Sequence, residues 1–138
     1  MKNLIADKED EEKRLKALAE YRILGTEPES CYDDITKIAA RTCNVPISLM
    51  TLVDKDRQWF KSKVGFQANE TRRDWSFCTH AIKEDNPLIV KDACLDKRFV
   101  DNPLVTGDPK IRFYAGFPLK NNEGNKLGTL CVIDRKAG

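Results

Sequence analysis

The sequence predicts an α+β domain in which an antiparallel sheet is covered on both faces. Two amphipathic helical segments open the chain, and β-rich segments joined by turns follow. Two of these segment pairs have the pattern of hairpins, which pair strands antiparallel. The strands are apolar on both of their alternating faces, so each face needs a cover. We therefore expect helices on one face of the sheet and short helices with loops on the other.

The composition limits the classes of function. The formal net charge is +2, with basic and acidic residues interspersed, so we expect no basic surface for nucleic acid. The apolar stretches run for only a few residues, which is too short for insertion into a membrane. Residues 1–7 lead directly into charged sequence. We therefore expect no signal peptide and a cytoplasmic location.

The cysteines give no sign of a metal site. There are five, an odd number, and no Cys-x-x-Cys pair occurs among them. This spacing disfavours a zinc ribbon or a dithiol redox motif, and we expect no metal cofactor. In a cytosolic chain they are predicted to be reduced thiols. They are Cys31, Cys43, Cys78, Cys94 and Cys131.

Two helices are predicted at the start of the chain. In residues 8–24, leucine and alanine recur at helical spacing after a charged run, and Gly25 suits the end of a helix. Thr26-Glu-Pro-Glu29 fits a capping box, so the second helix is predicted over residues 26–43. Its predicted apolar stripe consists of Cys31, Ile35, Ile38, Ala39 and Thr42.

The strands follow from apolar, β-branched segments bounded by turn residues. Residues 46–54 are apolar on both faces, and residues 58–64 form a more polar strand whose lysines suit a sheet edge. Residues 87–92 predict a further short strand. The last two strands, at residues 111–119 and 126–133, are joined across Asn121-Asn-Glu-Gly124, which predicts a hairpin.

The cover of the second face must come from residues 65–110. This segment contains a predicted short helix, Ser76 to Lys83, among loops rich in Pro, Asn, Asp and Gly. A cover made mainly of loops packs less uniformly than long helices, so we expect a cavity beneath it.

Several stretches, in order along almost the whole chain, resemble the GAF domains at the front of bacterial sensor histidine kinases and diguanylate cyclases. The resemblance implies one GAF domain over residues 1–138, with sheet and lid over residues 46–134 and a GAF/PAS-like sheet of five or six strands. The stretches that carry it are Tyr21-Arg-Ile-Leu-Gly-Thr-Glu-Pro-Glu29, Ile47 to Asp54, Asp56-Arg-Gln-Trp-Phe-Lys-Ser62, Arg73-Asp-Trp-Ser-Phe-Cys-Thr-His-Ala-Ile82, Asp101-Asn-Pro-Leu-Val-Thr-Gly107, Ile111 to Leu119 and Leu127-Gly-Thr-Leu-Cys-Val-Ile-Asp134.

The resemblance also implies a function in signal transduction, in two-component systems or cyclic di-GMP signalling. A domain of this kind is a sensor without enzymatic activity that binds a small molecule and controls an output domain. Such domains usually continue into a C-terminal helix, whereas this sequence stops at Gly138, just after its last strand. The resemblance therefore implies an output kinase or cyclase domain outside this chain.

Cys78 and His80 are the most chemically capable pair. Residues two apart on a helix project roughly 200° apart, so we expect Cys78 to face the sheet and His80 to point away. Cys78 lies near the helix N-terminus, behind Asp74 or Ser76 as cap, where the dipole favours a thiolate. The alternatives are a small buried residue lining the cavity, or the nucleophile of a thiol-dependent enzyme.

A flat or anionic ligand is expected to meet aromatic and arginine side chains of the sheet and lid. The same aromatics suit a core, and Arg112 equally suits an ion pair with Asp92 or Asp101 that holds the lid. The predicted ligand-binding residues are Trp59, Arg73, Trp75, Phe77, Cys78, Asp92, Arg112, Phe113 and Tyr114.

Three further alternatives stay open. One GAF branch binds a tetrapyrrole through Cys followed directly by His, whereas Thr79 separates the two here, and no tetrapyrrole is expected. Another branch reduces free methionine sulfoxide with pocket cysteines, a set that we do not match to the cysteines of this chain. The third is a ligand-free module for dimerisation or a structural role. The charged run Glu9 to Lys16 with Leu15, Leu18 and Tyr21 is predicted either to form half of a homodimer interface or to dock on its own sheet.

Overall fold

The computed structural model describes residues 4–138, with side chains from Lys8 onward. Residues 1–3, part of the opening segment where no signal peptide is expected, lie outside the described residues. None of the described helices is both long and apolar enough to cross a membrane. The helices are α1 (Leu4–Glu20), α2 (Ser30–Cys43), α3 (Phe77–Ala81) and α4 (Pro103–Thr106), and the strands are β1 (Ile47–Val53), β2 (Arg57–Val64), β3 (Glu70–Arg72), β4 (Leu88–Val90), β5 (Phe113–Lys120) and β6 (Lys126–Asp134).

The strands form one six-stranded sheet in the order β3-β2-β1-β6-β5-β4, and every pair is antiparallel. The predicted α+β class is confirmed. The β5–β6 hairpin turns where Asn-Asn-Glu-Gly predicted it, and the Asn121 side chain accepts hydrogen bonds from the backbone N–H groups of Glu123 and Asn125. Strands β1 and β6 lie at the centre, so the two chain halves meet there.

Helix α1 packs on one face of the sheet. Ala17 and Leu18 are buried in a cluster with Leu52 and Trp59 of the sheet. Of the predicted stripe, Leu18 thus docks on its own sheet, whereas Tyr21 is exposed. The helix ends at Glu20, earlier than predicted, because the chain turns at Arg22, whose φ is 50°. The link to α2 then passes through Gly25 at φ 74°.

Helix α2 differs from its prediction in start and in orientation. It begins at Ser30, and Thr26 donates its hydroxyl to the Ile23 carbonyl instead of capping the helix. The predicted apolar stripe is wrong, because Ile38 is 64% exposed whereas Thr36 is buried. Thr36 shares a 2.8 Å hydrogen bond with Ser62 of β2, and this polar contact turns the isoleucine face of the helix outward.

Strand β2 is not an edge strand, contrary to the prediction, because β3 pairs outside it. Its Lys61 side chain is fully buried and lies 2.7 Å from the Glu29 carboxylate. The same ammonium donates to Thr26 Oγ1 and to the Glu27 carbonyl. The turn before α2 thus satisfies the lysine charge that the sequence pattern placed in solvent.

The second face of the sheet is covered by the lid, which we define as residues 65–112 without strands β3 and β4. Its short helices and turns pack on the sheet in one large apolar cluster. Helix α3 is shorter than the predicted Ser76 to Lys83, and Ser76 is its N-cap, accepting from the Thr79 N–H. The layered arrangement therefore agrees with the pattern-based expectation.

Candidate functional site

A cavity lies between the sheet and the lid, where one was expected. Its volume is about 20 Å³, which is room for about one water molecule. Mostly apolar side chains form the walls, joined by a few polar ones such as Cys78 and Thr71. In this structure the cavity is too small for a nucleotide or an amino acid.

Aromatic side chains pack closely beside the cavity. The rings of Phe77 and Phe99 are stacked, with centroids 3.9 Å apart and planes 7° apart. Tyr114 of β5 lies 5.1 Å from Phe77, and Phe99 and Tyr114 are 0% and 1% exposed. The lid is therefore packed as a core, with its space taken by its own rings.

Cys78 lies at the polar end of the cavity. Helix α3 directs its Sγ toward the sheet, as predicted, where it is hydrogen-bonded to Thr129 Oγ1 at 2.9 Å and to Tyr114 Oη at 3.1 Å. Thr129 Oγ1 in turn lies 3.0 Å from Thr51 Oγ1 on the neighbouring strand. Cys131 follows on β6 and lines the same cavity. A thiol pair and three hydroxyls thus form one buried group, which we call the thiol cluster.

The thiol cluster separates the proton affinities of its two cysteines. Burial raises the pKa of Cys78, but hydrogen bonds from Cys131, Thr129, Thr51 and Tyr114 outweigh it, and the pKa is lowered. The hydrogen bond to Cys78 and burial together raise the pKa of Cys131 well above its ordinary value. Cys78 is therefore the first thiol to ionise, while Cys131 keeps its proton.

His80 does not join the thiol cluster. Its ring lies edge-on to Phe99 with centroids 5.0 Å apart, on the side of α3 away from Cys78, as the helical spacing predicts. Burial lowers the pKa of His80, and the nearby positive charges of Lys83 and Arg98 lower it further. The histidine therefore packs on the outside of the lid core as a neutral ring.

Three of the predicted ligand-binding residues come together at the cavity: Phe77, Cys78 and Tyr114. The other aromatic candidates lie elsewhere. Trp59 is buried under α1, on the opposite face of the sheet. Phe113 alternates with Tyr114 along β5 and so points to that opposite face too, and Trp75 packs at the border of the lid cluster.

The charged candidates serve the fold in this structure. Arg112 donates to the carbonyls of Val105 and Ile111, so the predicted ion pair of Arg112 with Asp92 or Asp101 is replaced by backbone contacts within the lid. The Asp92 carboxylate accepts the Cys94 N–H as a cap. Arg73 pairs with Glu11 of α1.

The ion-pair network around Glu11 was missed by the sequence reasoning. Its carboxylate accepts hydrogen bonds from Arg14, one turn along α1, and from Arg73 at the start of the lid helices. Arg14 is 6% exposed and also donates to the Val53 carbonyl at 2.6 Å. Helix α1, the end of β1 and the lid are thus joined through one carboxylate. The charged run of α1 carries no signal for a partner sixty-two residues away.

The Glu11 network predicts a stability that depends on pH. The hydrogen bond from Arg14, opposed by burial and assisted by Arg73, lowers the pKa of Glu11 from 4.5 to about 2. The network therefore stabilises the fold above pH 4.5, and this contribution fades as the pH falls toward 2. We expect Glu11→Gln to cost about 1 kcal/mol at pH 6, a value reduced for partial exposure, and almost nothing near pH 2. Urea unfolding at both pH values measures the difference, and Glu12→Gln, an exposed neighbour, is the control. An equal cost at both pH values would contradict the assignment.

Comparison with known proteins identifies the fold family. Residues 27–137 match the family model described as the GAF domain. The chain belongs to the GAF domain family. This GAF domain is 42% identical, over 128 residues, to the cyclic di-GMP phosphodiesterase PA2567 of Pseudomonas aeruginosa. The match covers 93% of this chain and 22% of the phosphodiesterase, so the chain spans about a fifth of that relative's length.

Solved structures agree on the fold. The GAF domain from a phosphoenolpyruvate-protein phosphotransferase of Coxiella burnetii has a TM-score of 0.64 and 12% identity, over 91% of this chain and 78% of that one. A type II free methionine-R-sulfoxide reductase from Thermoplasma acidophilum has a TM-score of 0.63 and 11% identity, over 87% and 79%. At such low identity these likenesses concern the fold alone. The GAF resemblance of the sequence is confirmed, and the chain is a GAF-type signalling module.

Proposed function

We propose that this GAF domain is a regulatory module of a cyclic di-GMP signalling protein and that it acts on an output domain through helix α1. Its 42% identity to part of a cyclic di-GMP phosphodiesterase supports the signalling context. The output domain itself would belong to sequence outside this chain. The domain then contributes regulation, while the chemistry of cyclic di-GMP takes place elsewhere in the protein.

The Glu11 network is the observation that supports the proposal. Regulation needs a contact that differs between two states of the domain and reaches an element able to pass the difference on. Glu11 lies on α1, and its partner Arg73 lies where the lid helices begin. Arg73 also donates to the carbonyls of Asp54 and Lys55. A movement of the lid at Arg73 would therefore change the ion pair that links the lid to α1.

The proposed regulation does not depend on a metabolite in the present cavity. A ligand of nucleotide size would have to displace side chains of the cavity wall such as Phe77, because the cavity itself holds about 20 Å³. A small-molecule ligand, as the resemblance implies, thus requires a second, open arrangement of the lid. The homodimer through the N-terminal helices stays a prediction. Among the side chains described from Lys8 onward, large exposed apolar residues in this region are Tyr21, just after α1, and Ile35 and Ile38 of α2.

A chimera tests the proposal. The matching segment of the Pseudomonas aeruginosa phosphodiesterase is replaced by this chain, and hydrolysis of cyclic di-GMP is measured. We expect Glu11→Gln to change the rate by about fivefold, the lower end of typical coupling energies, because the lid then loses its hold on α1. Arg73→Gln should act in the same direction. The exposed Glu12→Gln is the matched control and should leave the rate unchanged. Equal rates for the Glu11 and Glu12 variants, both folded by circular dichroism, would refute the role of this bridge.

A further inference from the structure

The cysteines divide into two groups by exposure. Cys31, Cys43 and Cys94 are exposed, whereas Cys78 and Cys131 are buried together at the cavity. The buried two come from different layers, since Cys78 lies on α3 of the lid and Cys131 on the central strand β6. Thr129, which is hydrogen-bonded to Cys78, lies two residues before Cys131 and so on the same face of β6. Two sulfur atoms from separate layers therefore face one cavity inside the domain.

The surroundings of Cys78 differ from those of a structural cysteine. A buried structural cysteine behaves as a small apolar residue and needs no polar partners. Here Thr129 Oγ1 and Tyr114 Oη lie 2.9 and 3.1 Å from its sulfur. Both hydroxyl groups are able to donate to a thiolate, and Thr51 extends the chain of hydroxyls to β1. Thiolate, unlike thiol, is the nucleophile in sulfur chemistry.

We propose that Cys78 and Cys131 form a peroxide-reactive thiol pair. The Cys78 thiolate attacks one oxygen of hydrogen peroxide, the O–O bond breaks, and Cys78 becomes a sulfenic acid. The departing hydroxide takes up the proton that Cys78 released on ionising and leaves as water. The Cys131 sulfur then attacks the Cys78 sulfur, the S–O bond breaks, and a second water leaves with the proton of Cys131. The two thiols lose two electrons in total and form a disulfide, while the peroxide is reduced to two water molecules.

The cavity selects the oxidant by size. It borders both sulfurs and has a volume of about 20 Å³, enough for an oxidant close to water in size. Its wall also includes the partly exposed side chains of Phe66 and Thr71, which places the cavity near the surface. Hydrogen peroxide fits this space, whereas an oxidised thiol of peptide size does not. The disulfide would tie α3 of the lid to β6 and hold the lid on the sheet.

Mass spectrometry of a cysteine variant tests the proposal. The variant carries Cys31→Ser, Cys43→Ser and Cys94→Ser, which change only exposed residues and leave the buried pair intact. After treatment with hydrogen peroxide, we expect its intact mass to fall by two hydrogen atoms and a Cys78–Cys131 peptide to appear on digestion. The folded variant should not react with a bulky aromatic disulfide reagent. Further replacement Cys131→Ser should stop the reaction at a sulfenic acid on Cys78, which dimedone traps when the protein is then unfolded in its presence.

A hydroxyl variant tests the role of the polar partners without changing either sulfur. Thr129→Val removes the 2.9 Å partner of Cys78 and should slow disulfide formation about tenfold, as expected for loss of a hydrogen bond to a charged group. Thr106→Val, at an exposed site in the lid, should leave the rate unchanged. The proposal would be overturned if the triple serine variant keeps its mass in peroxide while folded. Dimedone labelling confined to Cys131 would overturn it as well.

Discussion

Replacing Phe99 by alanine is expected to lower the free energy of unfolding by about 3–5 kcal/mol, the usual cost of removing a buried phenylalanine ring. Phe99 is 0% exposed and stacks on Phe77 at 3.9 Å. His80 lies edge-on to the same ring, and the Arg98 guanidinium lies over it at 5.1 Å. Phe99 belongs to the apolar cluster that joins the lid to the sheet, so the loss would be a large part of the stability of a domain of this size.

Urea unfolding of Phe99→Ala beside Phe117→Ala provides the measurement. Phe117 is 46% exposed on the other face of the sheet, so the same chemical change there should cost less than about 1 kcal/mol. Benzene is a second probe, because an enlarged apolar cavity binds it. Benzene should raise the melting temperature of the Phe99 variant and leave the unmutated domain unchanged. Similar losses for the two alanine variants would show that the lid rings are not a packed core.

The parts of the fold that the sequence predicts well are those set by local chemistry. The turn at Asn121 to Gly124 forms because an asparagine side chain caps its own backbone. The inward direction of Cys78 follows from the rotation of about 100° per helical residue. The family resemblance covers the order of the elements. The turn and the direction of Cys78 follow from residues that are neighbours in the chain, so no tertiary contact is needed for them.

The parts that the sequence does not predict depend on contacts between distant residues. Apolar spacing in α2 predicts Ile35 and Ile38 inside, but the Thr36–Ser62 hydrogen bond holds the opposite face to the sheet. The sequence pattern places Lys61 in solvent on an edge strand. In the structure, the turn before α2 brings the Glu29 carboxylate to its ammonium group. In both cases a specific polar contact outweighs a weak hydrophobic pattern. Neither segment alone carries a sequence signal that predicts such a contact.

The contacts of the candidate site are likewise not predicted by the sequence, because they join residues that are distant in the chain. Thr129 and Thr51 come together because the register of β1 and β6 places them opposite each other, although seventy-eight residues separate them in the chain. The sequence patterns mark threonines in strands as ordinary β residues. Phe99 lies in a loop-rich segment and is not among the predicted pocket residues, yet its ring is fully buried and stacks on Phe77 beside the cavity. The loops of the lid therefore pack more tightly than their composition suggests.

Replacing Gly128 by alanine is expected to cost about 3 kcal/mol, the upper end of the usual range for forcing extra volume into a packed interior. Gly128 lies on β6 opposite Leu52 of β1. A Cβ atom at this position would lie 2.7 Å from the Thr51 carbonyl carbon and 2.8 Å from the Leu52 Cα, and closer still to the Thr51 carbonyl oxygen. These are backbone atoms of a central strand, which cannot rotate away as a side chain would. The two central strands must separate locally.

Gly25→Ala separates this steric effect from backbone strain. Gly25 has φ +74°, but a Cβ there would meet nothing within 4 Å, so its cost should be only the roughly 1 kcal/mol of a left-handed alanine. Urea unfolding should therefore rank the Gly128 variant as clearly less stable than the Gly25 variant. Hydrogen exchange adds a local readout, because the amides of β1 and β6 should exchange faster only in the Gly128 variant. If the Gly25 substitution were the costlier one, the close approach of β1 and β6 at Gly128 would be wrong. The placement of Thr51 beside Thr129, on which the thiol cluster depends, would then lose its support.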